Sequence, residues 1–178
     1  MPMQIYVADG AVGSPVYERC SLAPDLPVGV MLERPQLHAV VSVAQDLDRA
    51  RVSVRFDVPD GSTLVLRENT IRIDSRDGTP PRLAAFANVN PAAPARSPET
   101  SAIQKLVLPA DAPLVGGRLR LGNASSDKHY WIVAPVDGRL ESDVWVTLPK
   151  FTIDDTPSRF PEIHFRKQFT IGQALSNC

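Results

Sequence analysis

Three histidines, His38, His129 and His164, are the side chains best suited to metal ligation or proton transfer near neutral pH. They are scattered along the chain, and none has a second histidine or a cysteine at ligand spacing. A zinc site would require all three to converge with a carboxylate. His164 follows Glu162 by two residues, which predicts a solvated pair on one face of a strand. Asp154-Asp155 would make a calcium site only if a loop folded the two carboxylates together, because neighbouring side chains on a strand point to opposite faces. Ser14 and Ser62 follow glycines in turn-like contexts, and neither sits in the G-x-S-x-G elbow that a serine nucleophile needs. The phrase Gly10-Ala11-Val12-Gly13 is too short for a phosphate loop. These residues assign no catalytic group, no metal and no cofactor.

Two other sets of side chains point to binding. In 143–148, DVWVTL, Val144, Val146 and Leu148 share one side and Asp143, Trp145 and Thr147 the other. If the valine side is core, Trp145 stands on the polar face, where an aromatic with a polar handle suits an interface. In 129–134, HYWIVA, either Tyr130 or Trp131 must face away from a one-sided core. Pairing of these two strands would create a shallow aromatic platform for a sugar. The second set is a series of outward arginines: Arg51, Arg55, Arg67, Arg72, Arg118, Arg120 and Arg166. Arginine suits bidentate recognition of carboxylate or phosphate. A mixed-charge, solvated face is the plainer reading, because acidic residues lie among these strands. Trp145, Tyr130, Trp131, Arg118 and Arg120 are therefore the candidate binding residues.

The elements that must position these groups are strands. The stretch 51–73 is the organising one. Val52, Val54, Phe56 and Val58 alternate with Arg51, Ser53, Arg55 and Asp57, the period of a strand with one dry and one wet face. Pro59-Asp60-Gly61-Ser62 makes a turn, and Leu64, Leu66, Ile71 and Ile73 resume the apolar side as a hairpin. Residues 44–50 read as a hairpin connection into this strand. Gly116-Gly117 between two apolar runs predicts a tight primed turn. Further strands are expected at 3–7, 28–32, 36–44, 82–89, 103–109, 151–153 and 162–171. In the last of these, Ile163 and Phe165 face in and His164 and Arg166 face out.

Seventeen prolines in 178 residues, roughly double the usual share of about 5 %, interrupt helices throughout the chain. The expected fold is all-β, a single antiparallel β-sandwich over 1–178, immunoglobulin-like or jelly-roll-like, with long proline-rich loops and little helix. The longest expected loop is 90–100, which carries Pro91, Pro94 and Pro98.

A net charge of −1 argues against general nucleic-acid binding. No apolar run approaches the ~18 residues of a membrane span, and no signal peptide is seen, so a cytoplasmic location is expected unless export is leaderless. Cys20 and Cys178 carry no metal spacing and could pair only if the termini meet. Asn123-Ala124-Ser125 has sequon spacing without a secretory signal.

The expected function is a non-enzymatic interaction domain that binds a protein partner, or a second copy, through a sheet face or the 90–100 loop. A carbohydrate-binding module and a structural subunit of an assembly are the alternatives. A hydrolase or metal enzyme using His129 or His164 with Asp154 or Asp155 stands last.

Overall fold

The alternation at 51–58 becomes a strand with one fully buried side. Val52, Val54, Phe56 and Val58 are all at most 1 % exposed, and burial of each contributes about 1.5–3 kcal/mol. The computed structural model describes residues 2–17, 26–46, 48–88, 106–121 and 124–171. Cys20 and Cys178, the 90–100 loop and Asn123 lie outside the described residues.

The strands in chain order begin with β1 (Pro2–Ala8), β2 (Ser14–Tyr17), β3 (Pro27–Arg34), β4 (Leu37–Asp46) and β5 (Arg49–Val58). They continue with β6 (Thr63–Leu66), β7 (Thr70–Asp74), β8 (Arg82–Ala85), β9 (Ala87–Asn88), β10 (Leu106–Val107), β11 (Pro113–Val115) and β12 (Arg118–Leu121). The chain closes with β13 (Ala124–Asp137), β14 (Asp143–Thr147), β15 (Phe151–Ile153), β16 (Thr156–Ser158) and β17 (Ile163–Ile171). No helix occurs among the described residues, and none is therefore long and apolar enough to cross a membrane.

All pairings are antiparallel, in three sheets. The first has the order β1-β17-β14-β7-β8. The second runs β10-β9-β13-β5-β4-β3-β2, with β12 also paired to β13. The third is β11-β6-β15-β16. Their apolar sides meet in one core: Val144, Val146, Ile163 and Phe165 from the first, the β5 set with Val41 and Ile132 from the second, and Leu64, Leu66 and Phe151 from the third. This is a sandwich in its layering, and the outward faces of the first two sheets therefore look in opposite directions.

Three expected pairings are corrected. Residues 51–73 do not form a hairpin: β5 lies between β4 and β13, while β6 pairs with β11 and β15. The Pro59–Ser62 turn carries the chain from one sheet to another. The Gly116-Gly117 pair does not close a hairpin either, since β11 pairs with β6 and β12 with β13. Gly116 is needed for close approach: a Cβ there would lie 1.8 Å from the Pro59 carbonyl oxygen. Finally, 129–134 and 143–148 belong to different sheets. The hairpin connection from β4 into β5 is as expected, with Asp46 opposite Arg49.

Candidate functional site

The first outward face is built on β14 and its neighbours. Alternation puts Val144 and Val146 in the core and leaves Asp143, Trp145 and Thr147 outside. Trp145 lies directly opposite His164 of β17 on one side and Asp74 of β7 on the other. The indole and imidazole rings stack, with centroids 4.3 Å apart and planes 5° from parallel. The chain beyond β7 supplies the other cover. There Asp77 Oδ1 accepts hydrogen bonds from the Thr79 hydroxyl at 2.6 Å, the Ser75 hydroxyl at 2.7 Å and the Thr79 amide at 2.9 Å. The hydroxyl of Thr79, then that of Ser75, hold this carboxyl down at about 2. The same turn places Arg76 at φ 57° and its guanidinium 4.3 Å from the indole centroid. Because Arg76 and His164 come from opposite sides of β14, Trp145 is layered between them.

His164 is fully engaged. Its Nδ1 lies 2.7 Å from Asp9 Oδ2 and its Nε2 2.8 Å from Asp143 Oδ1. Both ring nitrogens are thus within hydrogen-bond distance of a carboxylate, which leaves neither open to a metal or a substrate. Arg166 Nε adds a contact to Asp143 at 3.3 Å. Burial works to raise the Asp9 carboxyl, but the Ala11 amide and His164 outweigh it and hold it below the ordinary range. Asp143 is also held low, first by the hydrogen bond from His164 and then, against burial, by Arg166. The expected His164–Glu162 pair is corrected: Glu162 pairs with Arg76 and accepts a hydrogen bond from the Thr147 hydroxyl at 3.3 Å. This face is a closed, internally neutralised clasp joining the end of β1, β14 and β17.

The second outward face belongs to β5 and β13. Register places His38, Asp57 and His129 in one cross-strand row, with Arg55 opposite Trp131 in the next row of that face. Arg55 grips Asp57 with both ends of its fork, at 2.9 and 3.1 Å, and His129 Nδ1 lies 2.6 Å from the same carboxylate. Trp131 is 39 % exposed, one of five exposed large apolar side chains among the described residues and the one on this face with an indole ring. Tyr130 goes the other way: it is buried, and its hydroxyl donates to the Val115 carbonyl at 2.6 Å. Arg118 and Arg120 stand exposed on β12, opposite Asp127 and Ser125 of β13. Since 125, 127, 129 and 131 share a face of β13, the two arginines lie on the Trp131 side.

The five candidate residues therefore divide. Trp131, Arg118 and Arg120 share one face; Trp145 is on the opposite side of the sandwich; Tyr130 is core. The expected sugar platform of Trp145 with Tyr130 or Trp131 is not formed. Nor are His129 and His164 joined by Asp154 or Asp155. Those two aspartates occupy positive-φ positions between β15 and β16, where Asp154 Oδ1 accepts the Thr63 amide at 2.8 Å. Among the described residues, no three His, Cys, Asp or Glu side chains form a group that could hold a metal. The contacts His129–Asp57, Arg76–Glu162 and His164–Asp9 carry no local sequence signal, because their partners lie 72, 86 and 155 residues apart.

No protein-family model matches the chain, and no curated protein matches its sequence.

Proposed function

We propose that this protein is a non-enzymatic interaction domain that binds a protein partner through the outer face of β5 and β13. Trp131 carries the reading. It stands open to solvent on the wet face of the largest sheet, opposite Arg55. Tryptophan and arginine are the residues most enriched where binding energy concentrates, and large aromatics are costly to leave in water. The Trp145 face supports binding less well. Its indole is already stacked on His164 and covered by Arg76, and its histidine has no free nitrogen. The fold alone assigns no activity.

The test is affinity capture from the host lysate with wild type and Trp131→Ala side by side. The reading predicts a protein retained by wild type and lost with the variant, while the urea midpoints of the two baits stay within about 0.5 M of each other. Equal retention by both would remove Trp131, and with it this face, from the account.

A further inference from the structure

Five of the seven outward arginines singled out by the sequence are neutralised within the fold. Arg51 pairs with Asp46, Arg55 with Asp57, Arg67 with Asp111, Arg72 with Asp74 and Arg166 with Asp143. Arg118 and Arg120 pair with no described residue. Asp127 is directly opposite Arg118 in register, yet the two side chains form no ion pair. In a chain with net charge −1, two adjacent guanidiniums without a partner among the described residues, on the same sheet face as an open indole, form a local positive patch.

The backbone explains why these groups line up. β13 is 14 residues long and outruns β5, which pairs with it only from Lys128 onward. β12 takes over the vacated lane: the Gly117 amide approaches the Val58 carbonyl at 3.4 Å, and the Lys128 amide donates to the Gly117 carbonyl at 2.8 Å. Arg118 and Arg120 thus continue the row begun by Arg55 and Asp57. Two-residue spacing sets the arginines about 7 Å apart, and four residues of β13 set Arg118 about 13 Å from Trp131 along the strand.

We infer that this ridge docks an extended acidic segment of the protein partner, with carboxylates two residues apart over Arg120 and Arg118 and an apolar side chain four residues further on, over Trp131. The inference rests on the interaction reading above and specifies the chemistry of its partner. Arginine forks match carboxylates bidentately, and an extended segment repeats with the same two-residue period as the strand beneath it. Charge complementarity selects the acidic segment over a second copy of this chain, because the same ridge on another copy would bring arginine against arginine.

The probe is a nine-residue threonine-rich peptide with glutamates at positions 2 and 4 and leucine at position 8. A peptide of the same composition with its glutamates at positions 2 and 3 is the control. The readout is the indole N–H resonance of Trp131, assigned with Trp131→Phe, in the full-length protein. A saturable shift with the first peptide is expected, weakened at least ~10-fold by Arg118→Glu with Arg120→Glu and unchanged by Lys150→Glu, which lies just before β15 of the third sheet. The spaced peptide should bind at least several-fold more tightly than the control. A urea midpoint unchanged in the double variant shows that it is folded. No shift, a shift surviving charge reversal, or equal binding of a short DNA duplex would overturn the acidic-segment assignment. So would a shift that depends on protein concentration alone, which would indicate a second copy. If the captured partner is lost with Trp131→Ala but retained by the charge-reversed pair, the docking face stands and the acidic segment is wrong. If Trp131→Ala also retains it, both readings fall.

Discussion

Replacing Trp145 by alanine should damage the fold and spare binding. The indole stacks on His164 at 4.3 Å and receives Arg76 at 4.3 Å on its other side. Covering most of an indole removes on the order of 130 Å² of apolar surface from water, worth about 3 kcal/mol at about 25 cal/mol per Å². Stacking adds about 0.5–1.5 kcal/mol and the guanidinium about 0.5–1 kcal/mol. These contributions overlap, and the exposed site relaxes after truncation, so the net loss should be about 3 kcal/mol. With a urea dependence of about 2 kcal/mol per M for a domain of this size, the midpoint should fall by about 1.5 M. Trp131→Ala, at a more open position without such cover, should cost less than about 1 kcal/mol. Equilibrium urea unfolding of the two variants beside wild type measures both. A shift below about 0.5 M for Trp145→Ala, or a larger loss for Trp131→Ala than for Trp145→Ala, would refute the division into a structural and a binding tryptophan.

Two further predictions concern the frame that holds these faces. Asp9 and Asp143 are held below the ordinary carboxylate range in the fold. Each therefore contributes stability that is fully present above about pH 4, where the unfolded carboxyl ionises, and is lost as pH falls through the lower folded value. Asp143→Asn should lower the urea midpoint at pH 7, and its gap to wild type should narrow as pH falls below about 4, where the unfolded carboxyl ionises; a gap unchanged by acidification contradicts the clasp. Gly116→Ala should cost at least about 2 kcal/mol, since its Cβ would lie 1.8 Å from the Pro59 carbonyl oxygen and the backbone would have to move. A thermal midpoint within a degree of wild type would show that the crossing of β11 into β12 tolerates a side chain.

The strands were legible where one face is dry and the other wet. Residues 51–58, 143–147 and 163–166 declare themselves by period two, and each buries the residues that the alternation selects. What the alternation could not reveal is which strand pairs with which. A turn at Pro59–Ser62 looks alike whether the chain folds back on its own sheet or crosses to another, and here it crosses. Gly116-Gly117 has the composition of a primed turn, but Gly116 is required by a backbone contact with residue 59, more than fifty positions away. The same limit applies to the site. The outward direction of Arg118 and Arg120 follows from local alternation, whereas alternation at 129–134 leaves Tyr130 or Trp131 outward and the burial of Tyr130 decides for Trp131. The cover over Trp145 does not follow from alternation, because it depends on Arg76 being turned by the Asp77 hydrogen bonds and on His164 arriving in register from β17.

The proposal that Trp131 anchors a protein partner is tested most directly by the dissociation constant of the captured partner, purified, for wild type and Trp131→Ala. A binding anchor of this type is worth about 2 kcal/mol or more, so the variant should bind about 30-fold more weakly. A dissociation constant within about twofold of wild type, with both proteins folded, would contradict the account.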